Sequence, residues 1–271
     1  MTILVTGATA NIGRMVVDQL LARGATDVRA LTINPGKAAL PDGVQVAKGH
    51  LGRPESLAAA FEGVDRMYLA PSPGTVGEVL AAARAAGVRH VVDLSGEPES
   101  WWGSVCNAVE GSGLDWTHLW PADFMENTLT WSQQIRESGV IREPNPDTAS
   151  APIAMNDIAA VAATALLTDG HVGRAHALAG PEILTRADLV AHLADALDRD
   201  ITFRTSTRAE TITALEPAMG DNTTWYVDNV LLDFAPPPQS LPTTSVEDIT
   251  GHPATTFGHW ARANAARFLA D

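Results

Sequence analysis

The sequence predicts an α/β fold built on a doubly wound parallel sheet, and three observations predict it. Short β-branched runs alternate with helical patterns over residues 1–120. The first run, Met1–Val5, is apolar except at Thr2, close to the continuous apolar run of a strand covered on both faces. A glycine-rich turn separates that run from the first helical pattern.

Six strands are expected: Thr2–Val5, Val28–Thr32, Val44–Ala47, Arg66–Leu69, His90–Leu94 and Trp116–Leu119. Between them, helical spacing runs from Ile12 to Arg23, Ser56 to Phe61 and Val76 to Ala86. Right-handed crossovers in such a sheet place ligands at the carboxyl ends of the strands. After Pro121 the alternation loosens. Phe124–Glu137 reads as helical, and Glu143-Pro144-Asn145-Pro146-Asp147 as a turn. Asn156 or Asp157 caps a helix through Leu167, and Thr185-Arg186-Ala187-Asp188 is a capping box before Leu189–Leu197. Pro236-Pro237-Pro238 reads as a surface connection, and a final amphipathic helix spans about Thr255–Phe268. The domain reading is a dinucleotide-binding domain over 1–123, to which about 152–180 returns, and a smaller substrate-binding region over 124–271.

Bulk properties narrow the function. The chain has 271 residues, one cysteine and a net charge of −14 with 18 basic residues. Nucleic-acid binding needs basic clusters, and none is visible. No apolar run approaches the roughly 20 residues that span a bilayer, so no membrane role is expected. The N-terminus runs straight into a strand without a basic region or cleavage site, and Cys106 has no second cysteine to pair with. A cytoplasmic protein follows as the expectation.

The strongest motif is Val5-Thr6-Gly7-Ala8-Thr9-Ala10-Asn11-Ile12-Gly13-Arg14. It follows a strand and opens a helix, the setting of a Rossmann-type dinucleotide site. Gly7 permits the tight turn and Gly13 the close packing of helix on strand. A pyrophosphate would sit over the N–H groups of Thr9, Ala10, Asn11 and Ile12, at the positive end of the helix. An NAD site carries an acid at the end of the second strand. Here Ile33-Asn34-Pro35-Gly36-Lys37 holds none. Arg14, Asn34 and Lys37 are donors for a 2′-phosphate, so NADP is favoured over NAD. Ala70 and Pro71, after the fourth strand, are added as cofactor contacts.

Thr6-Gly7-Ala8-Thr9 with Ile12-Gly13-Arg14, Gly49-His50-Leu51, His90-Val91-Val92-Asp93-Leu94-Ser95 and Pro121 with Phe124-Met125-Glu126-Asn127 resemble the NmrA-like atypical short-chain dehydrogenase/reductases. The likeness continues through Asp157-Ile158-Ala159, Gly180-Pro181-Glu182 and Thr250-Gly251-His252-Pro253. It implies an NAD(P)H-binding Rossmann domain with a small C-terminal substrate domain, and places His50 and Leu51 near the adenine. The family often has arginine at the position of Ile33, aspartate at that of His50 and arginine at that of Trp120.

Most short-chain reductases carry a tyrosine and a lysine four residues apart as proton donor. This chain has two tyrosines, Tyr68 and Tyr226, and two lysines, Lys37 and Lys48, in no such pair. The segment expected to hold the pair, Gly96–Gly113, contains neither residue type. Ser95, beside the expected nicotinamide, and His118 are the candidate catalytic residues, and Ser95 and Pro121 also count as cofactor contacts. Asp93 alternates with Ser95, where an acid is expected to contact solvent. Trp120, Asp123, Phe124, Met155 and Trp225 are the candidate substrate contacts. Trp101, Trp102, Trp116 and Trp131 are further flat apolar walls. Cys106 lacks the sequence-spaced partners of a zinc site, so no metal is expected.

The resulting expectation is an NADPH-dependent carbonyl reductase. Its substrate would be a polycyclic aromatic small molecule such as an angucyclinone-type polyketide, with a substrate phenol supplying the proton. An NAD(P)H quinone reductase and a non-catalytic NADP-sensing regulator are the alternatives.

Overall fold

A computed structural model describes residues 1–232 and 240–270. Within them lie two compact units. The first comprises Met1–Pro121, Met155–Leu178 and Ser245–His252, the second Ala122–Ala154, Ala179–Thr244 and Pro253–Asp271.

The first unit is built on a seven-stranded parallel sheet. Its strands are β1 (Thr2–Val5), β2 (Val28–Thr32), β3 (Gln45–Lys48), β4 (Val64–Leu69), β5 (His90–Leu94), β6 (Asp115–Pro121) and the strand Arg174–Leu178. They lie in the order β3-β2-β1-β4-β5-β6 followed by Arg174–Leu178. The order reverses direction between β1 and β4, which makes their carboxyl ends the switch point of the sheet. β1 and β5 are buried along almost their whole length, as strands covered on both faces must be.

Helices α1 (Asn11–Ala22), α2 (Ala58–Phe61), α3 (Val76–Ala85) and α4 (Gly103–Glu110) connect the strands. α1 buries Ile12, Gly13, Val16, Val17 and Leu20, one stripe at helical spacing. It packs on the helix Met155–Leu167, whose buried Ala159, Ala162 and Ala163 allow close approach. Leu4, Leu31, Phe61, Met67, Leu69 and Leu80 belong to a core on the α2–α3–α4 side.

Several boundaries differ from the sequence reading. β4 starts two residues earlier and β6 runs on to Pro121. The expected second helix start at Ser56 is a 3-10 turn, Pro54–Ser56, because proline fixes the entry. α4 was not anticipated, since Trp101 and Trp102 masked its short apolar pattern.

In the second unit, a 3-10 segment Met125–Trp131 precedes the helix Ser132–Glu137 in the stretch expected to be one helix. The helix Arg186–Leu197 opens with the reciprocal capping box of Thr185 and Asp188. The final helix is two pieces, Phe257–Ala263 and Ala265–Leu269, broken at Asn264. Trp131, Phe257, Trp260 and Phe268 form part of this unit's core. Pro236, Pro237 and Pro238 lie outside the described residues.

Candidate functional site

The turn between β1 and α1 is shaped by two glycines. Gly7 has φ +59, in the left-handed region, and a Cβ there would lie 2.9 Å from Ala70 Cβ. A Cβ on Gly13 would lie 2.2 Å from the Gly7 carbonyl oxygen. The Ala10 N–H donates to that same oxygen at 2.9 Å, which closes the turn. Beneath it, the buried Thr6 hydroxyl donates to Tyr68 O at 3.0 Å and accepts from the Ala70 N–H at 2.8 Å. These bonds tie β1 to β4 at the switch point.

α1 begins with Ala10 as an extended N-cap without a side-chain cap, and no acid stands in its first turn. The N–H groups of Asn11, Ile12 and Gly13 therefore open the helix without intrahelical partners. The positive end of the helix dipole, bare backbone and exposed Thr9, Ala10 and Asn11 make a cradle that fits a pyrophosphate. Side chains at Gly7 and Gly13 would instead press on Ala70 and on the backbone of Thr6 and Gly7, so the two glycines keep the turn tight beneath this cradle.

After β2, Ile33 is 63% exposed and the 3-10 turn Pro35–Lys37 follows exposed Asn34. Arg14 donates through Nε to Asp18 at 3.1 Å and through Nη1 to Ala39 O at 2.7 Å. A 2′-phosphate would compete with these partners for the guanidinium. His50 is exposed and its Nδ1 accepts the Gly52 N–H at 2.9 Å, while Leu51 O accepts from Thr75 Oγ1 at 2.9 Å. Pro71 and Pro121 are half-buried, each at the carboxyl end of its strand.

The second group of candidates lies on β5 and β6. These strands pair Asp93 with His118 and Leu94 with Leu119, and the Ser95 N–H continues the ladder to Leu119 O at 3.1 Å. Asp93, Ser95, His118 and Trp120 consequently share one sheet face. His118 Nδ1 lies 2.6 Å from Asp93 Oδ2, and both side chains are fully buried. His118 Nε2 faces Cys106 Sγ at 3.5 Å and Glu110 Oε1 at 3.6 Å, both on α4. Trp116, His118 and Trp120 stack in a row, with centroid spacings of 4.2 and 6.0 Å.

Two expectations change here. Asp93 does not meet solvent; burial pushes its carboxyl up, and the bond from His118 opposes that shift. His118 is enclosed by Asp93, Cys106 and its tryptophan neighbours, so it does not present an open imidazole to a substrate. Among the described residues, the buried atoms Ser95 Oγ and Trp120 Nε1 have no hydrogen-bond partner. They are polar atoms at the carboxyl ends of β5 and β6, where this fold receives its ligands. Tyr68, on β4, is buried, which raises its phenol well above the usual range.

The remaining candidates are distributed differently. Met155 is buried at the start of its helix in the first unit. In the second unit, Phe124 is half-buried and bridges to Ile153, and Trp225 is 45% exposed. Asp123 takes part in a cluster the sequence did not announce. Arg186 grips Glu143 with two bonds, Nε to Oε2 at 2.8 Å and Nη2 to Oε1 at 3.1 Å, and lies 3.7 Å from Asp123 Oδ2. Trp131 donates Nε1–H to Glu143 at 2.6 Å and lies under the guanidinium. Burial lowers the Arg186 pKa, but the two carboxylates outweigh it and the net shift is upward. Tyr226 is buried nearby and its phenol is pushed up to about 12. The capping box around Arg186 was the sequence signal; its reach to Glu143, 43 residues away, was not readable.

Residues 7–97 match a family model described as NAD(P)H-binding. The chain is 34% identical to the (4-alkanoyl-5-oxo-2,5-dihydrofuran-3-yl)methyl phosphate reductase of Streptomyces griseus subsp. griseus, covering 99% of this chain and 100% of the relative. It is 35% identical to the NAD(P)H azoreductase of Xenophilus azovorans, over 98% and 99% of the two chains. Among solved structures, an NADPH-dependent quinone oxidoreductase from Escherichia coli superposes with a TM-score of 0.80 at 25% identity, covering 97% and 99%.

Proposed function

Because this chain belongs to the NmrA-like atypical short-chain dehydrogenase/reductases, a family of NAD(P)H-dependent oxidoreductases, we propose that it reduces a conjugated carbonyl or quinoid small molecule with NADPH. Bound NADPH supplies a hydride to the acceptor carbon. The Gly7–Gly13 turn and the first turn of α1 hold the pyrophosphate. Asn34, Lys37 and Arg14 receive the 2′-phosphate, with no carboxylate in 33–40 to repel it. Ser95 donates a hydrogen bond to the acceptor oxygen and so orients it.

The observation that carries the substrate class is the proton inventory. α4 lies in the segment where the tyrosine–lysine pair is expected, and it presents Cys106 and Glu110 instead. Ser95 is a hydrogen-bond donor but too weak an acid to replace a tyrosine. A substrate suited to this edge forms a stabilised anion when it accepts hydride: a hydroquinone anion, a doubly activated enolate, or an alkoxide beside a phenol. Water then supplies the proton without a protein acid. The names of the relatives fit this chemistry, since azo compounds, quinones and acyl butenolides are all electron-poor conjugated acceptors. The particular substrate we favour is a polycyclic aromatic ketone with a neighbouring phenol, as in aromatic polyketides.

NADPH oxidation measured against a graded panel tests this reading. Quinones and ortho-hydroxyaryl ketones are reduced, and the rate rises as the reduced anion becomes more stable. An isolated aliphatic ketone turns over at least 100-fold more slowly. Equal rates on the aliphatic ketone would overturn the proposal. A quinone-only profile would favour the quinone reductase over the polyketide reading.

A further inference from the structure

The helix that lacks the tyrosine–lysine pair carries something else. Cys106 and Glu110 stand four residues apart on α4, so both side chains leave the same face of the helix. That face meets His118 on β6. The three ligand atoms, Cys106 Sγ, Glu110 Oε1 and His118 Nε2, lie within 4.8 Å of one another. Sγ–Nε2 is 3.5 Å and Oε1–Nε2 is 3.6 Å. Bonds of about 2.3 Å to sulfur and about 2.0–2.1 Å to nitrogen and oxygen, set at a tetrahedral angle, separate S from N by about 3.5 Å and N from O by about 3.4 Å. The two separations to His118 Nε2 are those such a centre needs, and the third, Sγ to Oε1, is within 4.8 Å.

The surroundings agree. A histidine that ligates a metal through one nitrogen commonly donates its other N–H to a carboxylate, which fixes the tautomer and raises the basicity of the ligand. His118 has that arrangement: Nδ1 is 2.6 Å from Asp93 Oδ2, leaving Nε2 aimed at Cys106 and Glu110. Asp93 is fully buried, and among the described residues its Oδ1 has no hydrogen-bond partner. Cys106 and His118 are fully buried, while the Glu110 side chain is 46% exposed, which gives an ion a route from solvent.

We propose that Cys106, Glu110 and His118 form a site for a thiophilic divalent metal of the zinc class, with Asp93 as the residue that orients His118. Three protein ligands leave a fourth position for water or another small ligand. On binding, the Cys106 S–H bond breaks, the sulfur lone pair forms the metal–sulfur bond, and one proton leaves to solvent; nothing is oxidised or reduced. The sequence spacing gave no hint, because His118 comes from a neighbouring strand and not from the helix. Thiolate, imidazole and carboxylate together favour zinc or cobalt over magnesium or calcium.

Cobalt(II) titration of the chelator-treated full-length protein tests the site. The chain has a single cysteine, so any thiolate-to-cobalt charge-transfer band in the near ultraviolet reports Cys106. The expected result is one cobalt per chain, tetrahedral visible bands, the thiolate band, and displacement of cobalt by zinc. Cys106→Ser removes the thiolate band. Glu110→Gln, a change at a half-exposed side chain, weakens cobalt binding at least tenfold, and Asp93→Asn weakens it about 10–100-fold. Far-ultraviolet circular dichroism of the metal-free variants identifies any that fail to fold; if Cys106→Ser does, Glu110→Gln decides. A titration without a thiolate band, or Glu110→Gln binding as tightly as the unaltered chain, overturns the proposal.

Discussion

The carbonyl oxygen of Gly7 stands 2.2 Å from the point where a Cβ on residue 13 would be. The neighbour is backbone and cannot rotate away, so a methyl group there displaces α1 from β1. Gly13→Ala is expected to cost about 2–3 kcal/mol by urea denaturation. It should also weaken NADPH binding at least tenfold by fluorescence titration. Wild-type cofactor affinity in this variant would show that the turn is not the pyrophosphate cradle.

Ile33 projects into solvent just beyond β2. An arginine there adds a charged donor where the 2′-phosphate is assigned, and a hydrogen bond to a charged group contributes about 1.5–3 kcal/mol. Ile33→Arg should tighten NADPH relative to NADH by about tenfold or more, measured as the ratio of the two dissociation constants. An unchanged ratio would place the 2′-phosphate elsewhere.

Glu143 accepts from Arg186 and Trp131 in a site with almost no solvent. Removing its charge leaves the guanidinium with Asp123 at 3.7 Å as its remaining anion. Glu143→Gln is expected to lower stability by about 3 kcal/mol. Replacing both partners, as Glu143→Leu with Arg186→Met, should recover most of that loss, since no buried charge is then stranded. A double variant as unstable as the single one would show that the cluster contributes through shape and not through charge.

His90 is buried, with Nε2 3.0 Å from Thr117 Oγ1, and burial lowers its pKa to about 4. The unfolded chain takes up this proton near pH 6.5, but the folded one resists it until about pH 4. The unfolded state therefore binds more protons in that window. Stability is full above about pH 6.5 and falls as the pH drops toward 4, by no more than about 3 kcal/mol from this group. His90→Gln should flatten the slope of unfolding free energy against pH between 4 and 6.5. An unaltered slope would assign it to other groups.

Much of the sheet was legible because its signal is local. β1, β2 and β5 have the predicted ends, since each is a β-branched run bounded by turn residues. The helix expected from Ser56 starts as a 3-10 turn at Pro54, and α4, directly after Trp101–Trp102, has no counterpart in the sequence reading. The positions of Gly7, Gly13 and the bare first turn of α1 were equally readable, because a strand, a turn and a helix that are adjacent in sequence build them. Asp93 does not face solvent because β6 brings His118 against it and α4 packs over that strand end, contacts that alternation along β5 does not reveal.

The sequence by itself determined the parallel sheet, the glycine turn and the lack of a tyrosine–lysine pair, all set by residues close in the chain or by composition. Tertiary structure alone decided which side chains share a pocket. His118 meets Asp93 through strand pairing, Cys106 and Glu110 through the docking of α4, and Arg186 meets Glu143 across 43 residues. The physical reason is that ligation and buried ion pairing depend on distances of a few ångströms. Packing fixes those distances; separation along the chain does not.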